Sequence, residues 1–83
     1  MNLTNLKKGE TATIKEITSS CDPTIKQRLL DLGFIPGAEI TPQFASPFND
    51  PIAYTIHQTL ISLRNKDAKQ VRVNLKTDIK NDE

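Results

Sequence analysis

The chain has 83 residues, a mass of 9.3 kDa and a formal net charge of +1. This length supports one small domain, and 36% hydrophobic and 25% charged residues are typical of a soluble globular protein with no deep substrate cavity. The near-neutral charge argues against a protein that coats nucleic acid, and no stretch is apolar and uncharged enough for a membrane helix.

The N-terminal segment predicts a short turn followed by a strand. It lacks the basic start and apolar stretch of a signal peptide, so we expect a cytoplasmic protein. Leu3 and Leu6 suit either one turn of helix or a loop pinned to the core. β-Branched residues then predict a strand over residues 11–17 that ends or bulges near Ile17.

A helix follows this strand. Asp22 can accept hydrogen bonds from the first free backbone N–H groups, and Pro23 has no N–H group to leave unpaired at the first helical position. Gly33 stands where a left-handed residue would end the helix. The helix is too short to be stable alone, so its apolar stripe must pack on a sheet; that stripe is Ile25, Leu29 and Leu32.

The chain from residue 34 onward reads as β-structure. Pro36 and Gly37 specify a type II turn, because glycine takes the positive φ of the third position without strain. In the next segment, residues 38–45, Ile40 and Phe44 share one parity with Pro42, and the proline predicts either an edge strand or a bulge. Two prolines then stiffen a loop over residues 46–51.

The sequence from residue 52 onward predicts three more strands. Ile52, Tyr54 and Ile56 alternate with smaller or polar residues, and Gln58–Thr59 is the predicted hairpin turn into a strand over residues 60–64. The remaining predictions are a single helical turn over residues 65–70 with Ala68 facing inward, a final strand Val71–Leu75 and a polar, frayed C-terminal tail over residues 76–83.

These elements predict a mostly β fold with one helix between the first two strands. About five short strands in so small a chain favour a partly open barrel, because curling the sheet protects its edges. An SH3-like barrel is the first choice and an OB-like barrel the alternative, since periodicity does not separate them. We expect a single domain over residues 1–75.

The sequence offers little catalytic chemistry. It has no phosphate-cradling glycine run, no paired cysteines and no two carboxylates placed by spacing for acid–base work. Cys21 cannot form an internal disulfide and is expected to be a small buried residue, and His57 is expected at the surface. The sequence therefore predicts a binding module rather than an enzyme, with no cofactor and no metal site.

Two segments are candidates for partner contact. The stretch 43–63 carries the fewest charges, and its loop presents Phe48, which either tucks under the loop or contacts a partner. Six basic and two acidic residues lie between Arg64 and Lys80, which suits either a solvated face or a surface for an acidic partner.

Three ordered motifs resemble one family. Residues 28–37, Arg-Leu-Leu-Asp-Leu-Gly-Phe-Ile-Pro-Gly, resemble the helix-and-turn signature of the FeoA family, small bacterial proteins of ferrous-iron uptake. Residues 45–52 are similar to its proline-flanked loop, and Leu63-Arg64 with Ala68, Val71 and Val73 to its closing segment. The resemblance spans about residues 3–75. It departs at Gln58, where family members often carry glycine.

The resemblance implies an SH3-like, non-catalytic accessory protein that docks on the cytosolic part of the GTP-hydrolysing iron permease FeoB. It implies no nucleic-acid partner, a membrane association only through the permease, and we expect a monomer. The alternative is a metal-binding or metal-sensing module related to the C-terminal domain of iron-dependent repressors. A sharper version makes Arg28 or Arg64 an arginine finger for the permease. The predicted contact residues are Phe48, Asn49, Asp50, Arg28 and Arg64, although ion pairing within the chain would also explain both arginines.

Overall fold

The computed structural model describes residues 1–76, which form a five-stranded antiparallel sheet with one main helix. Of the predicted C-terminal tail, residues 77–83 lie outside the described part of the chain. In chain order the elements are a 3₁₀ turn (Leu3–Asn5), β1 (Ala12–Ile17), α1 (Pro23–Asp31), β2 (Glu39–Ala45), β3 (Ile52–Ile56), β4 (Thr59–Leu63), α2 (Asn65–Ala68) and β5 (Val71–Leu75).

The strands are ordered β4-β3-β2-β1-β5, and the two outer strands, β4 and β5, do not pair with each other. The sheet is therefore not closed, as the partly open barrel predicted. The N-terminus covers part of the β5 edge, where Val73 N–H donates to the carbonyl of Met1 at 3.0 Å. The helix α1 connects β1 to β2, which confirms the predicted position of the helix.

Pro42 lies in an interior strand, so the edge-strand alternative for this segment is wrong. The predicted bulge is present instead: Pro42 pairs with Tyr54 and Phe44 with Ala53, which leaves Gln43 as the extra residue. The bulge reverses the alternation of side chains, so Phe44 does not share the core-facing side of Ile40 and is 62% exposed. A second irregularity lies in β1 between Ile14 and Glu16, close to the predicted position.

The core lies under the sheet and consists of apolar side chains from every strand, α1, α2 and the N-terminal turn. Among residues 1–76 no polar or charged side chain is buried in this core. Burial of this kind contributes about 25 cal/mol for each Å² of apolar surface removed from water. The largest fully buried side chains are Tyr54, Phe34, Leu3, Ile14, Leu29, Ile40, Ile56, Val71 and Val73.

Helix α1 begins as predicted and ends one residue early. The Asp22 side chain accepts from the backbone N–H of Thr24 at 2.8 Å, and Pro23 occupies the first helical position. Leu32 follows the last helical residue, so it leaves the predicted stripe and is 38% exposed. Leu30 packs against the core in its place.

The two predicted tight turns have different outcomes. Ala38 N–H donates to the carbonyl of Ile35 across Pro36-Gly37, and φ of Gly37 is +93°, which fits the predicted type II turn. The β3–β4 hairpin turn is at His57-Gln58, one residue earlier than predicted, with φ values of +51° and +63°. Positive φ at both central positions matches the right-handed twist of a two-residue hairpin. The turn adopts this geometry although neither histidine nor glutamine favours positive φ.

Candidate protein-binding surface

The loop between β2 and β3 is held in shape by its own hydrogen bonds. Asn49 N–H donates to the Ser46 carbonyl at 2.8 Å, and Asp50 N–H donates to Ser46 Oγ at 3.0 Å. Ser46 N–H in turn donates to the carbonyl of Pro51, which follows a cis peptide bond. Because the backbone is already fixed, a partner that binds this loop would order little additional chain.

The same loop is attached to the start of α2. Asn65 N–H donates to Asp50 Oδ1 at 2.9 Å, and Asn65 Nδ2 donates to the Asn49 carbonyl at 2.8 Å. Arg64, the N-cap residue of α2, gives no side-chain cap of its own, so Asp50 supplies the acceptor that this helix start lacks. The structure therefore brings Asn49, Asp50 and Arg64 together and gives Asp50 a structural role in the loop.

Phe48 lies at the tip of this loop and is 90% exposed. It does not tuck under the loop, which was one of the two interpretations of its position. An exposed aromatic ring on a rigid loop is the kind of anchor that interface cores favour.

The two arginines lie on different elements. Arg64 is exposed and directly precedes Asn65, whereas Arg28 is exposed in the last turn of α1. The two ion pairs found within residues 1–76 are Arg72–Glu16 and Lys76–Glu39, so ion pairing with described residues accounts for neither arginine. The position of Arg28 suits the negative end of the helix dipole. No hydrogen bond of the described residues connects Arg28 to the loop.

Sequence reasoning missed Phe44 and the groove beside it. A groove of about 350 Å³ lies between the N-terminal segment, the bulged part of β2 and the loop, and Leu6, Lys8, Phe44 and Asn49 are among its lining residues. Regular alternation would place Phe44 on the same side as Ile40, and the bulge instead turns it outward, so the sequence pattern did not predict this surface. Pro42 in mid-strand was the one signal of a bulge.

Cys21 does not have the surroundings of a reactive thiol. It is buried, and burial raises its pKa, with the negative charge of Asp22 acting in the same direction. A higher pKa lowers the thiolate fraction, and the thiolate is the nucleophile and metal ligand. Within residues 1–76 no three His, Cys, Asp or Glu side chains are grouped to hold a metal ion. None of the helices in this part of the chain is long and apolar enough to cross a membrane.

Comparison with known proteins matches residues 1–75 to the FeoA domain family. Over 75 residues the chain is 33% identical to a curated Fe(2+) transport protein A/Fe(2+) transporter FeoB fusion protein of Porphyromonas gingivalis. The match covers 90% of this chain and 9% of that protein, so the chain spans a small part of the curated relative.

Solved structures give the same family and the fold. The solution structure of a FeoA protein from Chlorobium tepidum is 28% identical, with a TM-score of 0.86, over 96% of this chain and 74% of that one. FeoA of Stenotrophomonas maltophilia, described as a prokaryotic SH3 domain protein and solved in complex with zinc, is 28% identical with a TM-score of 0.79 over 89% of each chain. The fold is thus SH3-like rather than OB-like, and the chain belongs to the FeoA domain family.

Proposed function

We propose that this chain is a non-catalytic accessory protein of ferrous-iron uptake that docks on the cytosolic part of a FeoB-type permease. The observation that carries the proposal is the Porphyromonas relative, in which an Fe(2+) transport protein A and FeoB are parts of one chain. Fusion raises the effective concentration of one module at the other, an arrangement that benefits modules that act in contact. In this proposal the chain is cytoplasmic and monomeric and reaches the membrane only through the permease.

The loop and its neighbours are the proposed contact surface. Phe48 supplies the exposed apolar anchor, and Arg64, which precedes the loop-bound Asn65, supplies a charge that is in no ion pair with described residues. Asn49 and Asp50 contribute by holding the loop against Asn65 as well as by contact. Arg28, on α1, would extend the contact surface beyond the loop.

The test is co-purification with full-length permease in native membranes with nucleotide supplied. We expect the wild-type chain to bind and Phe48→Ala to bind at least about tenfold more weakly, because aromatic anchors dominate such interfaces. Leu60→Ala is the matched control, since Leu60 is also exposed, at 55%, but pairs with Thr55 of β3 and not with Ile52, where the loop ends. Failure of the wild-type chain to bind would contradict the proposal.

The same preparation tests the arginine-finger version. Single-turnover GTP hydrolysis by the permease should accelerate when the chain is added, and the acceleration should be lost with Arg64→Ala or Arg28→Ala if either residue reaches the nucleotide. If the chain binds the permease but the rate of GTP hydrolysis does not change, the arginine-finger version is wrong and docking alone is supported.

Metal binding is the second candidate function, favoured by the zinc complex of the Stenotrophomonas relative. Anaerobic calorimetric titration with iron(II) distinguishes it from docking. Heat above that of dilution, with a defined stoichiometry, would favour a metal-binding module.

A further inference from the structure

Two of the three phenylalanines in the chain lie outside the core at the same end of the molecule. Phe34 is fully buried, whereas Phe44 is turned outward by the β2 bulge and Phe48 stands at the tip of the neighbouring loop. The bulged strand is fixed from the other side by Gly9, whose N–H donates to the Pro42 carbonyl at 2.9 Å. The exposure of Phe44 is therefore set by backbone geometry and not by a free choice of rotamer.

These residues border the groove described above, which we call the Phe44 groove. Its apolar lining comes from Leu6, Pro42 and Ile52, and its rim includes Phe44 and Asn49. The hydrogen bonds from Asn65 to the loop keep this rim in place. Polar side chains share the lining, so this preformed groove can accept one bulky apolar side chain flanked by polar or charged groups at a small cost in ordering.

The charge that lines the Phe44 groove is positive. Lys8 lines it, and Arg64 and Lys66 flank Asn65 at its edge, while no acidic residue lines it. None of these three cations is in an ion pair with the described residues. Asp50 follows Asn49 in sequence and keeps its negative charge while it accepts the backbone hydrogen bond of Asn65, so Lys8 is the main charge that an acidic ligand would meet.

We propose that the Phe44 groove binds a short acidic segment of the permease's cytosolic part that carries a bulky apolar side chain between its carboxylates. The apolar side chain would pack against Phe44, and the carboxylates would face Lys8 and Arg64. This inference rests on the proposed function, and charge complementarity selects the occupant.

The first experiment does not need the permease. A labelled peptide of alternating Glu and Leu is titrated into the ¹⁵N-labelled full chain, with peptides in which Lys replaces Glu or Ser replaces Leu as controls. We expect amide shifts at Lys8, Phe44, Asn49 and Asn65, and affinity that falls as salt rises, because screening weakens exposed charge pairs. Both control peptides should bind at least about tenfold more weakly.

Variants of the chain locate the binding. Phe44→Ala and Lys8→Glu should each weaken binding of the Glu-Leu peptide. The matched controls Leu60→Ala and Lys26→Glu should not change it, since Leu60 lies on β4 and Lys26 on α1. Circular dichroism of each variant verifies the fold. No shift of the groove amides, equal binding of the Lys-Leu peptide, or concentration-dependent shifts of the same amides without peptide would overturn the proposal.

The second experiment separates this inference from the proposed function. The same four variants are tested against full-length permease in membranes. If Phe44→Ala and Lys8→Glu lose binding and the two control variants keep it, the result supports both the groove inference and the proposed function. If both variants bind the permease as strongly as the wild-type chain, the groove proposal is wrong, but the proposed docking on the permease is still supported. Peptide binding at the groove without permease binding would support the surface and refute the permease as its partner.

Discussion

His57 Nε2 lies 3.1 Å from the carbonyl oxygen of Gly33, so the β3–β4 turn is tied to the end of α1. A carbonyl can only accept, so Nε2 carries the donated proton. The imidazole also fills the space beside Gly33, because a Cβ built on that glycine would lie 2.6 Å from His57 Cδ2. A side chain at position 33 and the His57 ring therefore exclude each other in this arrangement.

Gly33→Ala should destabilise the protein through two separable effects. φ of Gly33 is +99°, a conformation that costs an L-residue about 1–2 kcal/mol, and the new Cβ also meets the imidazole. Gly9→Ala isolates the backbone effect, because φ is +86° there and a Cβ would meet nothing within 4 Å. In urea unfolding, Gly33→Ala should therefore have a lower free energy of unfolding than Gly9→Ala.

A double variant checks the steric part of that prediction. Adding His57→Ala to Gly33→Ala removes the obstructing ring, so the combined loss of unfolding free energy should be smaller than the sum of the two single losses. Strict additivity of the two losses would mean that the ring moves aside without cost.

Gln58→Gly should stabilise the hairpin. φ of Gln58 is +63°, and glycine adopts this region without the strain that a Cβ brings. The greater freedom of glycine in the unfolded chain offsets part of the gain, so we expect a net increase in unfolding free energy of about 0.5–1 kcal/mol. Gln58→Ala is the control and should give no comparable gain. Thermal and urea unfolding of both variants measure the difference.

The order of elements was predictable because each local signal agrees with the global fold. Asp22-Pro23 starts the helix, Pro36-Gly37 makes the turn, and Val71–Leu75 alternates between core and solvent as β5. The errors occur where tertiary geometry overrides a local pattern. The turn at His57-Gln58 adopts positive φ without a glycine or asparagine, so turn propensity placed it one residue late.

The candidate surface was predictable in part. Phe48 stood out because prolines flank it, and of its two interpretations the structure excludes the one that tucks it under the loop. Phe44 could not be placed, since the parity of its strand depends on whether the bulge precedes or follows it. The link from Asp50 to Asn65 joins residues 15 apart in sequence, and no periodicity predicts a contact between a loop and a later helix start.

Asp50→Ala should cost about 0.5–2 kcal/mol of stability, because it removes the acceptor for the N–H group of Asn65 at the start of α2. Asp50→Asn keeps an acceptor oxygen and should restore most of that loss. Chemical denaturation at neutral pH measures both variants. Equal losses in the two variants would show that the carboxylate charge, and not the acceptor geometry, stabilises the loop.

Tyr54→Phe should leave the protein as stable or more stable at neutral pH. The Tyr54 side chain is fully buried at the centre of the core, and its Oη has no hydrogen-bond partner among the described residues. An unpaired buried hydroxyl costs about 1–3 kcal/mol, which the variant removes without opening a large cavity. A clear loss of stability on substitution would indicate that Oη is hydrogen-bonded in solution.

The same substitution should change the response to alkaline pH. Burial raises the pKa of Tyr54 from its ordinary value near 10 to about 12, so between these values the unfolded chain loses a proton that the folded chain keeps. Stability therefore falls as pH rises from about 10 through about 12, by up to about 3 kcal/mol. Tyr54→Phe lacks this group and should lose less stability over the same range. Parallel decline of the two proteins in urea unfolding at stepped pH would show that the hydroxyl titrates normally in the fold.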